Sequence, residues 1–248
     1  MKTVRQKNVE LRRGNSSTVM SSLPTASVDL VICDPPYGTT KHHWDAAPDL
    51  AKLLAEFERL LAPGGKIVMF TAQPFTTAVA AAALAAGWKF YEMIWTKTLA
   101  SNQLSTAWRP LTRHENILIL YRDGEARKGY YKPQFTAGNP YRKQRRASPG
   151  EGYGSQKKHV TDNEGFRHPT SILHFPNNRK KGEHPTSKPV ELLAYLIRQY
   201  SAPEGLILDP FMGGGNSAVA AKNEGRQYLG IEINATYFKI AAAKIDTQ

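Results

Sequence analysis

The sequence is poor in cysteine and in long apolar stretches. Cys33 is the single cysteine among 248 residues, which excludes an intramolecular disulfide and leaves the seven histidines without the cysteine partners of a structural zinc site. No apolar run approaches the roughly 20 residues that a membrane-spanning helix needs, and residues 1–14 hold no apolar segment typical of a signal peptide. We therefore expect a soluble, cytoplasmic protein in which Cys33 is a small apolar residue that closes a strand.

Acidic residues are also scarce relative to basic ones. The chain has 33 Lys+Arg against 21 Asp+Glu, a formal net charge of +12, with a pI near 9.7. Residues 122–183 alone hold 14 Lys+Arg and 6 Asp+Glu, so +8 of this excess is regional. Such a concentration favours a polyanionic partner, and the alternative is a basic loop that is merely solvated.

Two common phosphate-binding motifs are absent: the dinucleotide fingerprint G-x-G-x-x-G and the phosphate loop G-x-x-x-x-G-K-[ST]. What stands at 206–238 is LILDPFMGGGNSAVAAKNEGRQYLGIEINATYF. An apolar strand ends in Asp209, a glycine cluster turns the chain, a helix follows, and the next strand ends in Glu232. Glycines let the backbone approach a ligand, and an acid at the next strand tip suits ribose hydroxyls. The pattern favours a nucleoside-cofactor site over a simple tight turn.

Hydrophobic periodicity predicts alternating strands and helices, and hence an α/β fold with a doubly wound, mostly parallel, Rossmann-like sheet. Two of the strands, 89–95 and 116–121, are expected to form an antiparallel hairpin at one edge. Periodicity fails from there to about residue 183, which predicts a basic, loop-rich insertion. The predicted domains are 1–121, 122–183 and 184–248. Strands are predicted at 28–33, 66–71, 89–95, 116–121, 206–208 and 228–231, and helices at 50–61, 74–86, 189–200, from the glycine turn to about 223, and from 235.

The segment VDLVICDPPYGTT, residues 28–40, ends a buried strand with an acid, two prolines and a tyrosine. An ordinary strand-ending turn explains an isolated Asp-Pro-Pro. With Tyr37 beside it and a cofactor-like segment downstream, the sequence favours a catalytic turn instead.

Three motifs together resemble a known family, the S-adenosylmethionine-dependent amino-methyltransferases of DNA. DPPYG at 34–38 is similar to the catalytic D-P-P-Y of that family, DPFMGGGNS at 209–217 to its cofactor signature, and HPTSKP at 184–189 to the element before it. WTKTLASNQLSTAWRPLTRHENILILYR at 95–122 resembles the stretch that leads toward target recognition. The order of catalytic motif, basic insertion and cofactor motif is that of the beta class.

The resemblance implies methyl transfer to an exocyclic amine of a base that has left the duplex. Asp34 and the carbonyl of Pro35 would accept the two amine N–H groups, Pro36 would stiffen the turn, and Tyr37 would stack on the base. Asp34, in place of the serine commoner in cytosine-N4 enzymes, favours adenine N6. Cytosine N4 remains the alternative, followed by an RNA or protein amide substrate and by a catalytically inactive DNA-binding protein.

The resemblance further implies S-adenosylmethionine as cofactor and no metal. Asn15 stands where the family usually has an aspartate near the cofactor adenine, so a turn asparagine without a ligand is an equal alternative. Thr186 and Lys188 would contact the methionine end or order the loop that does. The full set of implied cofactor residues is Asn15, Asp34, Thr186, Lys188, Asp209, Phe211, Gly213, Gly215, Asn216 and Glu232.

DNA is the implied partner, with a homodimer and a cognate restriction endonuclease as further options, in a bacterial or phage-encoded protein. His42, His43 and Trp44 are candidates for a loop over the target base or for a plain surface loop. The basic residues predicted to contact phosphates are Arg142, Lys143, Arg145, Arg146, Lys157, Lys158, Arg179, Lys180 and Lys181.

Overall fold

The computed structural model describes residues 2–38, 46–124, 128–147, 155, 157–177 and 187–247. It divides into two compact units, one made of Met1–Lys132 with Ser171–Gln248 and the other of Pro133–Thr170. The strands are β1 (Lys2–Gln6), β2 (Val9–Arg13), β3 (Val28–Cys33), β4 (Leu61–Thr71), β5 (Trp88–Ser101), β6 (Thr112–Arg122), β7 (Thr136–Ala137), β8 (Tyr141–Arg145), β9 (His159–Asn163), β10 (Phe166–Arg167), β11 (Ile172–His174), β12 (Leu206–Asp209) and β13 (Gln227–Glu232). The helices are α1 (Ser16–Met20), α2 (Leu50–Leu60), α3 (Phe75–Ala85), α4 (Val190–Tyr200), α5 (Asn216–Asn223) and α6 (Ala235–Thr247), with a short 3-10 helix at Gln103–Ser105.

The first unit is built on one mixed sheet. Among the described residues this sheet has nine strands, in the order β1-β2-β13-β12-β3-β4-β6-β5-β11. Strands β2, β13, β12, β3 and β4 run parallel, and β6 is antiparallel to both β4 and β5. The predicted doubly wound α/β fold with an antiparallel hairpin is therefore confirmed.

One detail of the hairpin prediction was wrong. The β5–β6 pair does not form the edge of the sheet, because β11 pairs in parallel with β5 outside it, with Leu173 opposite Trp95. This strand is only three residues long and just its central residue, Leu173, is buried, so it carries no alternation that periodicity could detect.

Burial on both faces explains why the sequence of strand β3 is apolar almost throughout. Leu30 and Ile32 point to one hydrophobic cluster and Val31 and Cys33 to the other, so both faces of the strand are covered. Helices α2 and α3 pack in the second cluster, and α4, α5 and α6 pack in the first. Burying each large aliphatic side chain contributes about 1.5–3 kcal/mol. Cys33 is a free, buried thiol, as the sequence predicted.

The edge formed by the carboxyl ends of the central strands positions the candidate site. From β3 the chain crosses to β4 on one side, whereas from β12 it crosses to β13 on the other. The gap between β3 and β12 is thus a topological switch point, where ligands of open α/β sheets bind. Asp34 follows β3, Asp209 ends β12 and Glu232 ends β13.

The N-terminal elements were not predicted. Strands β1 and β2 form an antiparallel hairpin in which Val4 lies opposite Leu11, and only Val9 and Leu11 of β2 are buried. The five-residue helix α1 follows at once and begins after Asn15, whose side chain caps it. Elements this short carry too few apolar positions for a periodic pattern.

The second unit, Pro133–Thr170, contains two small antiparallel ribbons. Strand β8 pairs with β9, with Arg142 opposite Asp162 and Arg145 opposite His159, and β7 pairs with β10. All five residues of β8 are exposed. A ribbon that is solvated on both faces has no apolar alternation, which is why the sequence indicated only loops here. Within the described part of the chain, no helix is long and apolar enough to cross a membrane.

Candidate active site

A cavity of about 740 Å³ lies at the switch point of the sheet. It is lined by the turn after β3, by the glycine turn between β12 and α5, and by the end of β13. Three acids predicted from the sequence, Asp34, Asp209 and Glu232, line this one cavity. Its volume falls in the range of small-molecule and cofactor sites.

Both oxygens of the Asp34 carboxylate are engaged. The hydroxyl of Tyr37 donates to Oδ1 at 2.7 Å, and the ammonium of Lys188 donates to Oδ2 at 2.6 Å. A quarter of the Asp34 side chain, 25%, remains exposed. Burial raises the pKa of Asp34, and the neighbouring Lys188 opposes that rise. Since an ionised carboxylate has about four acceptor positions, it can still accept an N–H from a ligand.

Lys188 joins Asp34 to a second carboxylate that the sequence did not single out. Its Nζ lies 3.2 Å from Oε2 of Glu115, an ion-pair contact without hydrogen-bond alignment, and Lys97 donates to Oε1 at 3.1 Å. Lys188 and Lys97 have only 6% and 9% of their side chains exposed. Burial raises the pKa of Glu115, but the two ammonium groups outweigh it and lower the pKa overall. We call these four residues, Asp34, Lys188, Glu115 and Lys97, the charge cluster.

An aromatic wall lies beside the charge cluster. The ring of Tyr37 stacks on Phe75, with centroids 5.2 Å apart and planes 22° from parallel, and Tyr37 also lines the cavity. The ammonium of Lys188 sits 5.2 Å from the ring centroid of Phe70. Burial and the nearby Asp34 carboxylate hold the pKa of Tyr37 well above its usual range, so the phenol stays neutral.

Hydrogen bonds to Asp209 hold the glycine turn in place. Its Oδ1 accepts the backbone N–H of Phe211 at 3.0 Å, and its Oδ2 accepts the hydroxyl of Ser217 at 2.5 Å. Ser217 also contacts the hydroxyl of Tyr228 at 2.7 Å. Burial raises the pKa of Asp209 to about 7. The carboxylate thus orders the loop, and sequence reasoning missed its partners Ser217 and Tyr228.

Two glycines of the turn adopt backbone conformations that side chains rarely take. Gly213 has φ of 53° and Gly215 has φ of 79°. A Cβ on Gly215 would lie 2.7 Å from the Cβ of Ala241 and 2.9 Å from its Cα, so helix α6 packs directly against the turn. Both positions favour glycine because of their backbone geometry, and Gly215 requires it also because of space.

Glu232 ties the glycine turn to the end of β13. Its Oε2 accepts the backbone N–H of Gly213 at 3.0 Å, and its Oε1 accepts that of Asn234 at 2.6 Å. Burial raises the pKa of Glu232, and these backbone donors oppose the rise. The carboxylate lines the cavity at the strand tip, where the sequence placed it.

The two asparagines among the predicted residues have clear structural partners. Asn15 caps α1 by accepting the backbone N–H of Ser17 at 3.0 Å, and it also lines the cavity, so the turn role and the site position occur together. Asn216 is the first residue of α5; its Nδ2 donates to the carbonyl of Lys188 at 2.8 Å, and its Oδ1 accepts from Lys244 at 2.6 Å. Asn216 therefore holds the Lys188 segment against the glycine turn.

The remaining predicted residues fall into three groups. Pro35, Pro36 and Phe211 line the cavity. Arg142, Lys143 and Arg145 are on the exposed strand β8 of the second unit, Arg146 follows that strand, and Lys157 and Lys158 precede β9; all six are exposed. The residues that lie outside the described part of the chain are His42, His43, Trp44, Arg179, Lys180, Lys181 and Thr186. Among the described residues, no group of three or more His, Cys, Asp or Glu could hold a metal ion.

Comparison with known proteins gives a consistent result. A family model described as DNA methylase, for N6 and N4 methyltransferases, matches residues 28–243. The DNA adenine methyltransferase YhdJ of Escherichia coli K12 is 26% identical over 94% of this chain and 81% of its own length. The type II methyltransferase M.HpaI of Haemophilus parainfluenzae is 25% identical over 94% of this chain and 73% of its own.

Solved structures agree in fold. A complex of M1.HpyAVI with S-adenosylmethionine superposes with a TM-score of 0.63 at 22% identity, covering 95% of this chain and 99% of that one. The cytosine-N4-specific PvuII DNA methyltransferase superposes with a TM-score of 0.63 at 16% identity, covering 95% and 85%. At these identities the likeness carries the fold alone.

Proposed function

Since the chain belongs to the DNA methylase family of N6 and N4 methyltransferases, we propose that it methylates the N6 amine of adenine in DNA, using S-adenosylmethionine. The observation that carries the proposal is the position of Asp34. Its carboxylate lines the same cavity as the glycine turn, so an amine acceptor and a nucleoside cradle share one space. The cofactor supplies an activated methyl group on a sulfonium, and the protein has to align the amine with it.

The amine is a poor nucleophile because its lone pair is delocalised into the base. Asp34 would accept one N–H and the carbonyl of Pro35 the other, which draws the nitrogen toward a pyramidal, more nucleophilic geometry. Burial raises the pKa of Asp34, and Lys188 opposes that rise and so favours the ionised form. A protonated Asp34 would be a weaker acceptor, so the rate should fall at acid pH.

A base that has left the duplex loses its stacking partners, and Tyr37 would replace one of them. One face of its ring rests on Phe75, which fixes the ring plane, and its hydroxyl is anchored on Asp34. The chain thereby couples the stacking surface to the amine acceptor through one hydrogen bond. We infer that the base is positioned by Tyr37 and activated by Asp34.

The glycine turn suits the cofactor on structural grounds. With φ positive at Gly213 and Gly215, the backbone of the turn comes close to the cavity without intervening side chains. The Glu232 carboxylate accepts two backbone N–H groups, and its remaining acceptor positions would accept the ribose hydroxyls. Asn15, Phe211 and Asn216 would contact the cofactor. Asp209 would contribute indirectly, by holding the glycine turn in position.

Adenine is proposed over cytosine because Asp34 stands where cytosine-N4 enzymes of the family more often have serine. YhdJ, an adenine methyltransferase, has 26% identity to the chain, and PvuII, a cytosine-N4 enzyme, has a similar fold. The test is incubation with unmethylated genomic DNA and S-adenosylmethionine, followed by mass spectrometry of the nucleosides. N6-methyladenine is expected; N4-methylcytosine without it would overturn the choice of base.

Strand β8 and its flanks are the proposed DNA contact. A two-stranded ribbon fits the major groove, and the exposed residues Lys143 and Arg145 share one face of β8. Charge reversal at Arg145 and Arg146 should weaken DNA binding and lower its salt dependence, with unchanged affinity for S-adenosylmethionine. An unchanged salt slope would remove these two residues from the interface.

Sequencing of the methylated DNA would also bear on the biological role. The type II relative makes a restriction-modification system a natural setting, with an endonuclease that cuts the same short sequence. Methylation confined to one motif fits that setting, whereas methylation in scattered contexts would count against it. Light scattering of the purified protein would test the homodimer.

A further inference from the structure

A second cavity, of about 640 Å³, lies at the other side of the charge cluster. It is formed by the end of β5, the start of β6 and the end of β11, all within the first unit. Nothing in the proposed chemistry uses it. The residues that give this cavity its polar lining are Thr96, Lys97, Thr98, Arg113, His114 and His174.

The polar lining of this cavity consists of cations, imidazoles and hydroxyls. Lys97 and Arg113 supply formal positive charge, and none of the described lining residues is a carboxylate. Arg113, His114 and His174 are exposed, so their side chains face solvent and not the core. This set of donors is suited to an anion with several oxygens, and guanidinium matches the geometry of phosphate.

The guanidinium of Arg113 is held in place by the hairpin itself. Its Nη2 donates to the carbonyls of Lys97 and Thr98 at 3.3 and 3.2 Å, and its Nε to that of Lys97 at 3.4 Å. Among the described residues, no acceptor contacts its Nη1. On the other side of the cavity, Thr96 Oγ1 lies 2.6 Å from Nδ1 of His174, which fixes that ring against β5. The guanidinium of Arg113, with its Nη1 directed away from these carbonyls, and the ring of His174 are therefore held in fixed positions.

An ion pair connects the linings of the two cavities. Lys97 lines the second cavity and Glu115 lines the first, and their charged groups are 3.1 Å apart. In the strand register, His114 lies opposite Thr96 and Glu115 lies opposite Trp95. Adjacent residues of β6 therefore line the two cavities, Glu115 the first and His114 the second.

We propose that the second cavity binds a backbone phosphate next to the target nucleotide in the DNA strand that is methylated. This inference rests on the proposed function, because it takes the target base to occupy the first cavity. A nucleotide that leaves the duplex carries its own backbone with it, so a flanking phosphate has to lie close to the mouth of the catalytic cavity. Phosphate contacts are also what fixes the register of a protein on DNA.

The test is the salt dependence of DNA binding by Arg113→Gln. Each phosphate contact that a protein loses lowers the slope of log K against log salt concentration by about 0.9 for duplex DNA. We expect Arg113→Gln to lower the slope by about that amount and Arg113→Lys to keep it. The matched control is Lys89→Gln, which removes an exposed charge on the neighbouring strand β5, at the end of the hairpin far from Arg113, and should leave the slope unchanged.

A scan on the DNA side does not depend on how the variants fold. Single neutral methylphosphonates are placed in turn at the phosphates around the target base, in the recognition sequence obtained by sequencing. Wild-type protein should lose roughly tenfold or more in affinity at one flanking position, and Arg113→Gln should lose no more there than elsewhere. The proposal is wrong if no flanking position matters to the wild type, if Arg113→Gln keeps the full slope, or if Lys89→Gln lowers it equally.

Failure of the proposed function gives a different pattern. Calorimetry with S-adenosylmethionine and nucleoside analysis report on the cofactor and the base, and Arg113→Gln should leave cofactor affinity unchanged. If the wild type methylates no adenine, the proposed function fails while the salt slopes can still be compared. If methylation is normal and the slopes are equal, the phosphate site alone is refuted.

Discussion

Replacing Lys188 by methionine should disturb the candidate site without removing any of its acids. The ammonium of Lys188 lies 2.6 Å from Asp34 and 3.2 Å from Glu115, and the side chain is 6% exposed. The charge cluster of Asp34, Glu115, Lys97 and Lys188 is formally neutral. Methionine has a similar length but no charge, so the variant leaves two carboxylates with Lys97 as the remaining cation.

The expected loss of stability follows from breaking a buried ion pair. Removing one partner costs about 3–5 kcal/mol, and the lower end applies because Asp34 is still 25% exposed. For a chain of this size, about 3 kcal/mol corresponds to a fall in Tm of roughly 6–12 °C. Burial raises the pKa of Asp34 in the wild type while Lys188 opposes it, so the pKa of Asp34 rises further in the variant.

The loss of stability in Lys188→Met should depend on pH. A carboxyl whose pKa is raised by folding stabilises the folded state when it is protonated, and this contribution is lost as pH rises through the folded pKa. The penalty of Lys188→Met should therefore be largest near pH 8 and should shrink toward pH 5. Because ionised Asp34 is the proposed acceptor, the acid limb of the rate profile should move to higher pH.

Denaturant unfolding from pH 5 to 8 and single-turnover methylation over the same range would measure both effects. Lys66→Met is the matched control: Lys66 is 3% exposed, but its ammonium donates to the carbonyl of Tyr130 at 3.2 Å instead of a carboxylate. Burial lowers the pKa of Lys66, but Lys66 is not among the groups that act on Asp34, so the acid limb of the rate profile should stay unmoved in Lys66→Met. An unmoved acid limb in Lys188→Met, together with a large loss of affinity for S-adenosylmethionine, would instead make Lys188 a cofactor contact and refute the reasoning.

Three further outcomes are expected. Asp34→Ala should lower the single-turnover rate by about 100-fold or more while DNA binding, measured by anisotropy, stays near normal; near-normal turnover would contradict its assigned role. Gly215→Ala should cost more in denaturant unfolding than Gly225→Ala, by about 1–3 kcal/mol, because both have positive φ but only the first new Cβ meets Ala241; equal costs would exclude the steric contact. Burial raises the pKa of Asp209 to about 7, so unfolding free energy should decline from about pH 4 to 7, and this component should vanish in Asp209→Asn; an identical pH dependence in the variant would argue against the shifted pKa.

The sequence predicted the central sheet because burial there follows simple periods. Strand β3 begins and ends at the predicted residues, Val28 and Cys33, since a strand covered on both faces is apolar at nearly every position, here at all but Asp29. Helix α2 was predicted to within one residue. Its apolar residues Leu53, Leu54, Phe57 and Leu60 repeat at helical spacing, and Asp49 caps its start.

The sequence could not predict contacts made by residues far apart in the chain. Glu115 reads as the polar start of an apolar strand, and its contact with Lys188 exists only once β6 and the segment before α4 meet. The one available signal was an acid directly before the predicted strand 116–121, just as Asp34 directly follows the predicted strand 28–33. Strand β8 could not be predicted either, because all five of its residues are exposed and its sequence therefore shows no apolar alternation.

The charge cluster also explains why the separately predicted motifs form one site. Asp34 belongs to the first motif in the chain, whereas Lys188, which neutralises it, belongs to the segment just before α4. Asn216 of the glycine turn then holds the backbone of Lys188 at 2.8 Å. A buried carboxylate without its cation has a higher pKa, and a protonated acid is a poorer amine acceptor. We therefore expect Asp34, the proposed acceptor, to be competent only when both halves of the chain have folded together, and the glycine turn, the proposed cofactor site, is positioned by the same contacts.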